Sequence, residues 1–274
     1  MPSVTRRHTL RISLRAGLGL AGCALPLAAC QGAAEGTGRG GSGGAGAGAT
    51  KAHVMGTIHG RHRTSEAYSL DVLRAAILRA DPDVILTEIP PDRVARALSS
   101  YRETGAVDEP RTRVFPEYTD VIIPLARPQG WRVVGTAGWT PAIARERRAA
   151  LAAIREDPAR AAQWEEHRTA RRELAEAMRG RSDDPLFIHT SKFDRLVAAS
   201  REPYARHFDA DLGAGGWTAI NAAHLAFINA ALDAITGHGL NALITFGTAH
   251  KYKIRQSLAQ RSDVALEDTR ALFV

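Results

Sequence analysis

Val54-Met55-Gly56-Thr57-Ile58-His59 and Thr245-Phe246-Gly247-Thr248-Ala249-His250 carry one short signature near the two ends of the chain's apolar, ordered-looking part. Each is an apolar run followed by Gly-Thr-x-His. A third apolar run, Asp83-Val84-Ile85-Leu86-Thr87-Glu88, ends on a carboxylate. Uninterrupted runs of this length read as strands buried on both faces, and such strands belong in a parallel sheet covered by helices. In open α/β sheets the ligand crevice lies beyond the carboxyl ends of the strands. His59, Glu88 and His250 are therefore expected to converge on one cleft.

The segments between these runs fit that architecture. Leu70, Leu73 and Ile77 recur at three- and four-residue spacing and predict a helix over about 66–80. Asp81-Pro82-Asp83 stops it, and a short helix is expected at 92–103 after Pro90-Pro91. Residues 105–117 have no clear period. A helix over about 117–127 leads to a further strand, Trp131-Arg132-Val133-Val134-Gly135-Thr136, which also ends in Gly-Thr. A strand-end glycine suits close approach of backbone or ligand. From about 141 to 236 the chain reads as a helical insert. Its Ala/Arg/Glu-rich first part reads as a solvated charged face. A last strand at 240–246, a helix to about 260 and a small edge strand at 264–266 complete the domain. The expected fold is α/β, with a central, mostly parallel sheet flanked by helices and interrupted by the helical insert.

The amino terminus reads as an address. Thr5-Arg6-Arg7-His8-Thr9-Leu10 has the paired arginines of a twin-arginine signal, followed by an apolar stretch from Ala16 to Ala29. Both cysteines of the chain end lipobox-like sequences, Leu20-Ala21-Gly22-Cys23 and Leu27-Ala28-Ala29-Cys30. Cys30 gives the apolar region the better length and is the expected lipidated residue, with Cys23 as the alternative. Residues 1–29 are then a signal peptide, 30–50 a lipidated cysteine and Gly/Ala/Ser tether, and 51–274 the folded domain. Membrane anchorage through lipid, facing the periplasm or the cell exterior, follows. With no cysteine after Cys30, thiol chemistry is excluded from the folded domain.

The formal net charge of +7 is partly signal. Arg6, Arg7, Arg11 and Arg15 precede residue 30 with no acid among them, so the remainder carries +3. That balance does not suggest a nucleic-acid partner, and a small-molecule or peptide substrate is expected instead. Imidazole takes a proton from water near neutral pH and also ligates metals. His59, Glu88 and His250 therefore suit either general-base chemistry or a divalent metal site. Arg61, Arg113 and Lys251 are the expected substrate contacts: two lie in polar loops, and one follows His250 at a helix start. Arg111 and Glu117 share the aperiodic loop with Arg113. His62 is a weak candidate ligand. His224 reads as a hydrogen-bonded core histidine on a helix that also carries Asn221.

Gly56/His59, Glu88 and Gly247/His250, in that order and spacing, resemble the group containing the TraB/GumN and Tiki proteins and the erythromycin esterases. The resemblance runs from about 52 to 258 and is specific only at the strand ends. It implies a sheet flanked by helices and a hydrolase acting on an ester, amide or lactone. Tiki-like members imply a metal-dependent peptidase, whereas the esterases imply histidine base catalysis without metal. ChaN-like lipoproteins share the Gly-x-x-His opening, and that likeness implies instead a non-catalytic haem- or metal-binding envelope protein. Residues 137–240 match none of them closely, so no substrate carries over.

Overall fold

The computed structural model describes residues 48–274; the expected signal peptide, both cysteines and most of the tether lie outside them. In chain order the elements are β1 (Thr50–Thr57), α1 (Leu70–Ala80), β2 (Val84–Thr87), α2 (Pro91–Thr104), α3 (Ile123–Gln129), β3 (Arg132–Gly135), α4 (Pro141–Glu156), α5 (Ala161–Ala177), α6 (Pro185–Ile188), α7 (Ser191–Leu212), α8 (Trp217–Asp233), β4 (Ala242–Gly247), α9 (Thr248–Leu258) and β5 (Val264–Leu266). The sheet has five strands in the order β3-β2-β4-β1-β5, and every pairing is parallel.

Burial along the strands follows from that order. All residues of β2 and β4 are buried, as inner strands covered on both faces must be. β3 lies at one edge and begins with exposed Arg132, a charge suited to an unpaired edge. Alternate strand residues feed two cores. Met55, Ile85 and Leu243 pack with residues of α1, α2 and α3. Val54, Leu86 and Ile244 pack with Ile228 and Leu232 of α8 and Ile254 and Leu258 of α9. Each fully buried aliphatic side chain of this kind contributes roughly 1.5–3 kcal/mol relative to exposure.

Local signals set the element ends. Ser69 caps α1 by accepting the Val72 amide, and Pro91 opens α2 at a position where its missing N–H costs nothing. The insert is helical almost throughout. Residues 191–212, which carry no clear sequence period, form the long helix α7. The expected helix at 117–127 is split: Glu117–Ile122 is a π-helical turn that runs directly into α3. No described helix is long and apolar enough to cross a membrane.

The three Gly-Thr strand ends have separate steric reasons. A Cβ on Gly56 would press on Thr248 and the Lys251 stem at 3.2–3.3 Å, so this glycine lets α9 lie close on β1. One on Gly135 would meet the Ile89 carbonyl at 2.7 Å. One on Gly247 would lie 2.4 Å from His59 Nε2. Of the three, only Gly247 makes room for one of the residues His59, Glu88 and His250.

Candidate active site at the carboxyl edge of the sheet

His59 follows β1 in a short 3-10 turn, Glu88 follows β2, and His250 lies in the first turn of α9 after β4. Because β4 sits between β2 and β1, these three strand ends are neighbours. Both imidazoles face the same carboxylate: His59 Nε2 is 3.8 Å from Glu88 Oε2, and His250 Nε2 is 3.9 Å from Glu88 Oε1.

Each ring is oriented from behind. His59 Nδ1 donates to Glu117 Oε1 at 2.6 Å, and the Thr57 hydroxyl donates to the same oxygen at 2.9 Å. His250 Nδ1 donates to Asn221 Oδ1 at 2.8 Å. The Asn221 amide is itself oriented, since its Nδ2 donates to the Trp217 carbonyl at 2.7 Å. Both neutral rings thus carry the proton on Nδ1 and present the Nε2 lone pair to Glu88. Trp217 stacks on His250 with centroids 4.8 Å apart, and the Arg201 guanidinium covers the indole at 4.5 Å.

The π-turn explains why Glu117 reaches the site. Its second residue, Tyr118, is fully buried; its hydroxyl accepts the Glu88 amide at 2.8 Å and donates to the Thr245 carbonyl at 2.9 Å. Tyr118 thereby ties the ends of β2 and β4 together, while Glu117 holds Thr57 at the end of β1 and His59 just beyond it. Single π-turns of this kind occur frequently at functional sites. His59 also adopts a left-handed backbone, φ 52°, uncommon for a residue with a side chain. Glu88 is anchored through Oε2, which accepts the Gly247 amide at 2.8 Å.

The charges divide by environment. Burial disfavours a charge on His59, but the bond to Glu117 and the carboxylates of Glu117 and Glu88 outweigh it and raise its pKa above 6.5. Burial, with His224, Arg201 and His59 nearby, lowers His250 well below 6.5 and keeps it neutral. Burial raises Glu88 above 4.5 despite His59 and the Gly247 amide. Two imidazoles in one cleft are thus given opposite protonation tendencies.

The other expected contacts fall elsewhere. Lys251 is buried, and its ammonium is paired with Asp194 of α7, so it offers no free charge to a substrate. Arg61 is exposed and donates to the Ser182 hydroxyl, and exposed Arg113 has Asp108 at 3.8 Å. None of the three makes a hydrogen bond or ion pair with His59, Glu88, Glu117 or His250. His62 is neither ligand nor surface: it is buried, accepting the Ile58 amide and donating to the Tyr68 carbonyl. His224 is a core histidine that accepts the Gly138 amide, and burial lowers its pKa to about 4.

Among the described residues, no group of three or more His, Cys, Asp or Glu side chains is arranged to hold a metal ion. At zinc's ligand distances of roughly 2.0–2.2 Å, a cation shared across the 3.8 Å between His59 Nε2 and Glu88 Oε2 would need an angle well beyond tetrahedral. The donor set does not fit a tetrahedral cage.

No protein-family model matches the chain, and no curated protein or solved structure is significantly similar to it.

Proposed function

We propose that the protein is a hydrolase of ester, amide or lactone bonds in which His59, held by Glu117, is the general base. The observation that carries this reading is the 2.6 Å bond from His59 Nδ1 to the buried Glu117 carboxylate. It fixes the tautomer, raises the basicity of Nε2 and stabilises the imidazolium that forms when water gives up its proton. A water hydrogen-bonded at roughly 2.8 Å to each partner can span the gap between His59 Nε2 and Glu88 Oε2. His59 takes its proton, and the hydroxide attacks the carbonyl carbon. Glu88 orients the water, and neutral His250 accepts a hydrogen bond from water or substrate. Gly247 caps α9 without a side-chain bond, so the first N–H groups of α9 are available to the oxyanion. The protonated His59 then returns its proton to the leaving oxygen or nitrogen.

The resemblance to the erythromycin esterases supports the same reading, on strand-end residues alone. The proposal includes export and lipid attachment at Cys30; palmitate incorporation lost in Cys30→Ser tests that part, and loss in Cys23→Ser alone would move the site. For the chemistry, the purified protein is assayed on a panel of chromogenic esters, lactones and amides. His59→Gln is expected to lower turnover by roughly 10²–10⁴-fold with the fold intact by circular dichroism, and EDTA is expected to leave the wild type active. Full turnover in His59→Gln would overturn the base assignment. A Soret band in a protein that hydrolyses nothing would transfer the case to the haem-binding alternative.

A further inference from the structure

A cavity of about 190 Å³ opens beside His250, lined by Trp217, Arg201, Trp139 and Arg147. Trp139 and Arg147 also line an adjoining cavity of about 390 Å³, whose other walls include Arg111, Arg148, Arg155 and Trp164. A third space, of about 470 Å³, shares Arg111 and Arg148 with the second. The cleft thus runs from the candidate site along α4.

No acidic side chain lines the first two cavities. Among the described residues, none of Arg111, Arg147, Arg148, Arg155 and Arg201 pairs with a carboxylate. Three other arginines of α5 and α7 differ: Arg168 and Arg172 pair with Glu165, and Arg206 pairs with Glu166 and Glu202. The one acid of the third space, Glu109, is buried and already engages Thr112 and Arg93. Five guanidiniums without a carboxylate partner therefore line these connected cavities. Three of these guanidiniums also lie over indoles: Arg147 over Trp139 at 5.8 Å, Arg155 over Trp164 at 6.0 Å and Arg201 over Trp217 at 4.5 Å. Stacking uses the guanidinium face and leaves its edge N–H groups for oxyanions. Burial and the neighbouring Arg171 lower the pKa of Arg201, a strain that a bound anion would relieve.

We infer that this cleft binds a small soluble polyanion, carrying two or more phosphate or carboxylate groups, and that its apolar part lies on the tryptophan faces. As a statement about substrate, this rests on the hydrolase reading; the anion site itself does not. The insert whose charges read as plain surface then supplies specificity.

Binding separates the two claims. Tripolyphosphate and citrate are titrated into the protein at low and moderate salt, followed by tryptophan fluorescence and calorimetry. Saturable binding that weakens with salt is expected, reduced about tenfold or more in Arg147→Gln/Arg148→Gln, since charge-assisted bonds to guanidinium are the strong ones. Arg147 also donates to the Tyr204 hydroxyl, so Arg148→Gln/Arg155→Gln, which changes two exposed side chains, is the second variant. Arg168→Gln/Arg172→Gln removes the same charge from the carboxylate-paired arginines and should bind like wild type. No binding by either anion, or an equal loss in that variant, would overturn the inference. So would binding to phosphatidylglycerol vesicles with none to the soluble anions. Anion binding without hydrolysis of any ester or amide would leave the cleft standing and remove only the hydrolase reading.

Discussion

Replacing Glu117 by Gln tests the dyad while hardly changing its shape. The side chain is fully buried; Oε1 accepts from both His59 Nδ1 and Thr57 Oγ1, whereas Oε2 has no hydrogen-bond partner. The amide is therefore expected to keep its oxygen at the Oε1 position, where two donors need an acceptor. The NH₂ group goes to the Oε2 position. The tautomer of His59 survives, and only the negative charge is lost. A hydrogen bond to a charged partner is worth about 1.5–3 kcal/mol, or roughly one to two pH units at 1.36 kcal/mol per unit. His59 is 35% exposed, so solvent screens part of this and the lower end applies. The midpoint of His59 should fall by about one unit, and plateau turnover by about tenfold. An NMR titration of the His59 ring reads the first number without any substrate. An unchanged midpoint in Glu117→Gln would refute the claim that Glu117 sets the basicity of His59. A loss near 10⁴-fold would instead mean that the amide had turned and reversed the tautomer.

Other consequences follow from the same geometry. His59→Gly and His59→Ala both lose the base, but Gly should be more stable by about 1 kcal/mol, because φ 52° is costly only with a Cβ; equal melting temperatures would deny that strain. Gly247→Ala has an allowed backbone, φ −50° and ψ 137°, yet its Cβ would displace His59 Nε2, so a folded protein with turnover reduced about 10²-fold or more is expected. The acid limb of kcat/KM should lie above pH 6.5, since the base must be unprotonated and its pKa is raised. Through linkage, the stabilisation from His59 is complete below its unfolded value near 6.5 and fades as pH rises through the folded value. Wild type should therefore lose more stability across that window than His59→Gln.

The strand ends were legible because burial and chemistry coincide there. A strand covered on both faces needs an apolar run, and a polar residue closing such a run stands out, as Glu88 and His250 do. Glu117 was visible only as one polar residue in an aperiodic loop, because a single π-turn leaves no period in the sequence. Lys251 misled for a related reason. A lysine at a helix start suggests anion binding, but its partner Asp194 lies on a helix 57 residues away in sequence. The arginines of α4 read as surface because their spacing is that of an exposed face, and only the packing of α4 against α7 and the Gly213–Gly215 turn shows what they enclose. His59's strained backbone had no sequence signal at all, since histidine carries no preference for it strong enough to notice.

The place of β4 in the sheet has a consequence for how the molecule is made. Its residues, 242–247, follow the other three long-paired strands in the chain, yet they insert between β1 and β2. Until β4 emerges from the ribosome, β1 and β2 have no common neighbour, and His59 and Glu88 have no shared floor. Pairings of such wide sequence separation form slowly. A product truncated before residue 242 would not be a weakened form of the folded protein. It would expose both edges of β1 and one edge of β2, and be a substrate for aggregation or proteolysis. Insertion of β4, assembly of the cleft and burial of its stickiest surface are one event.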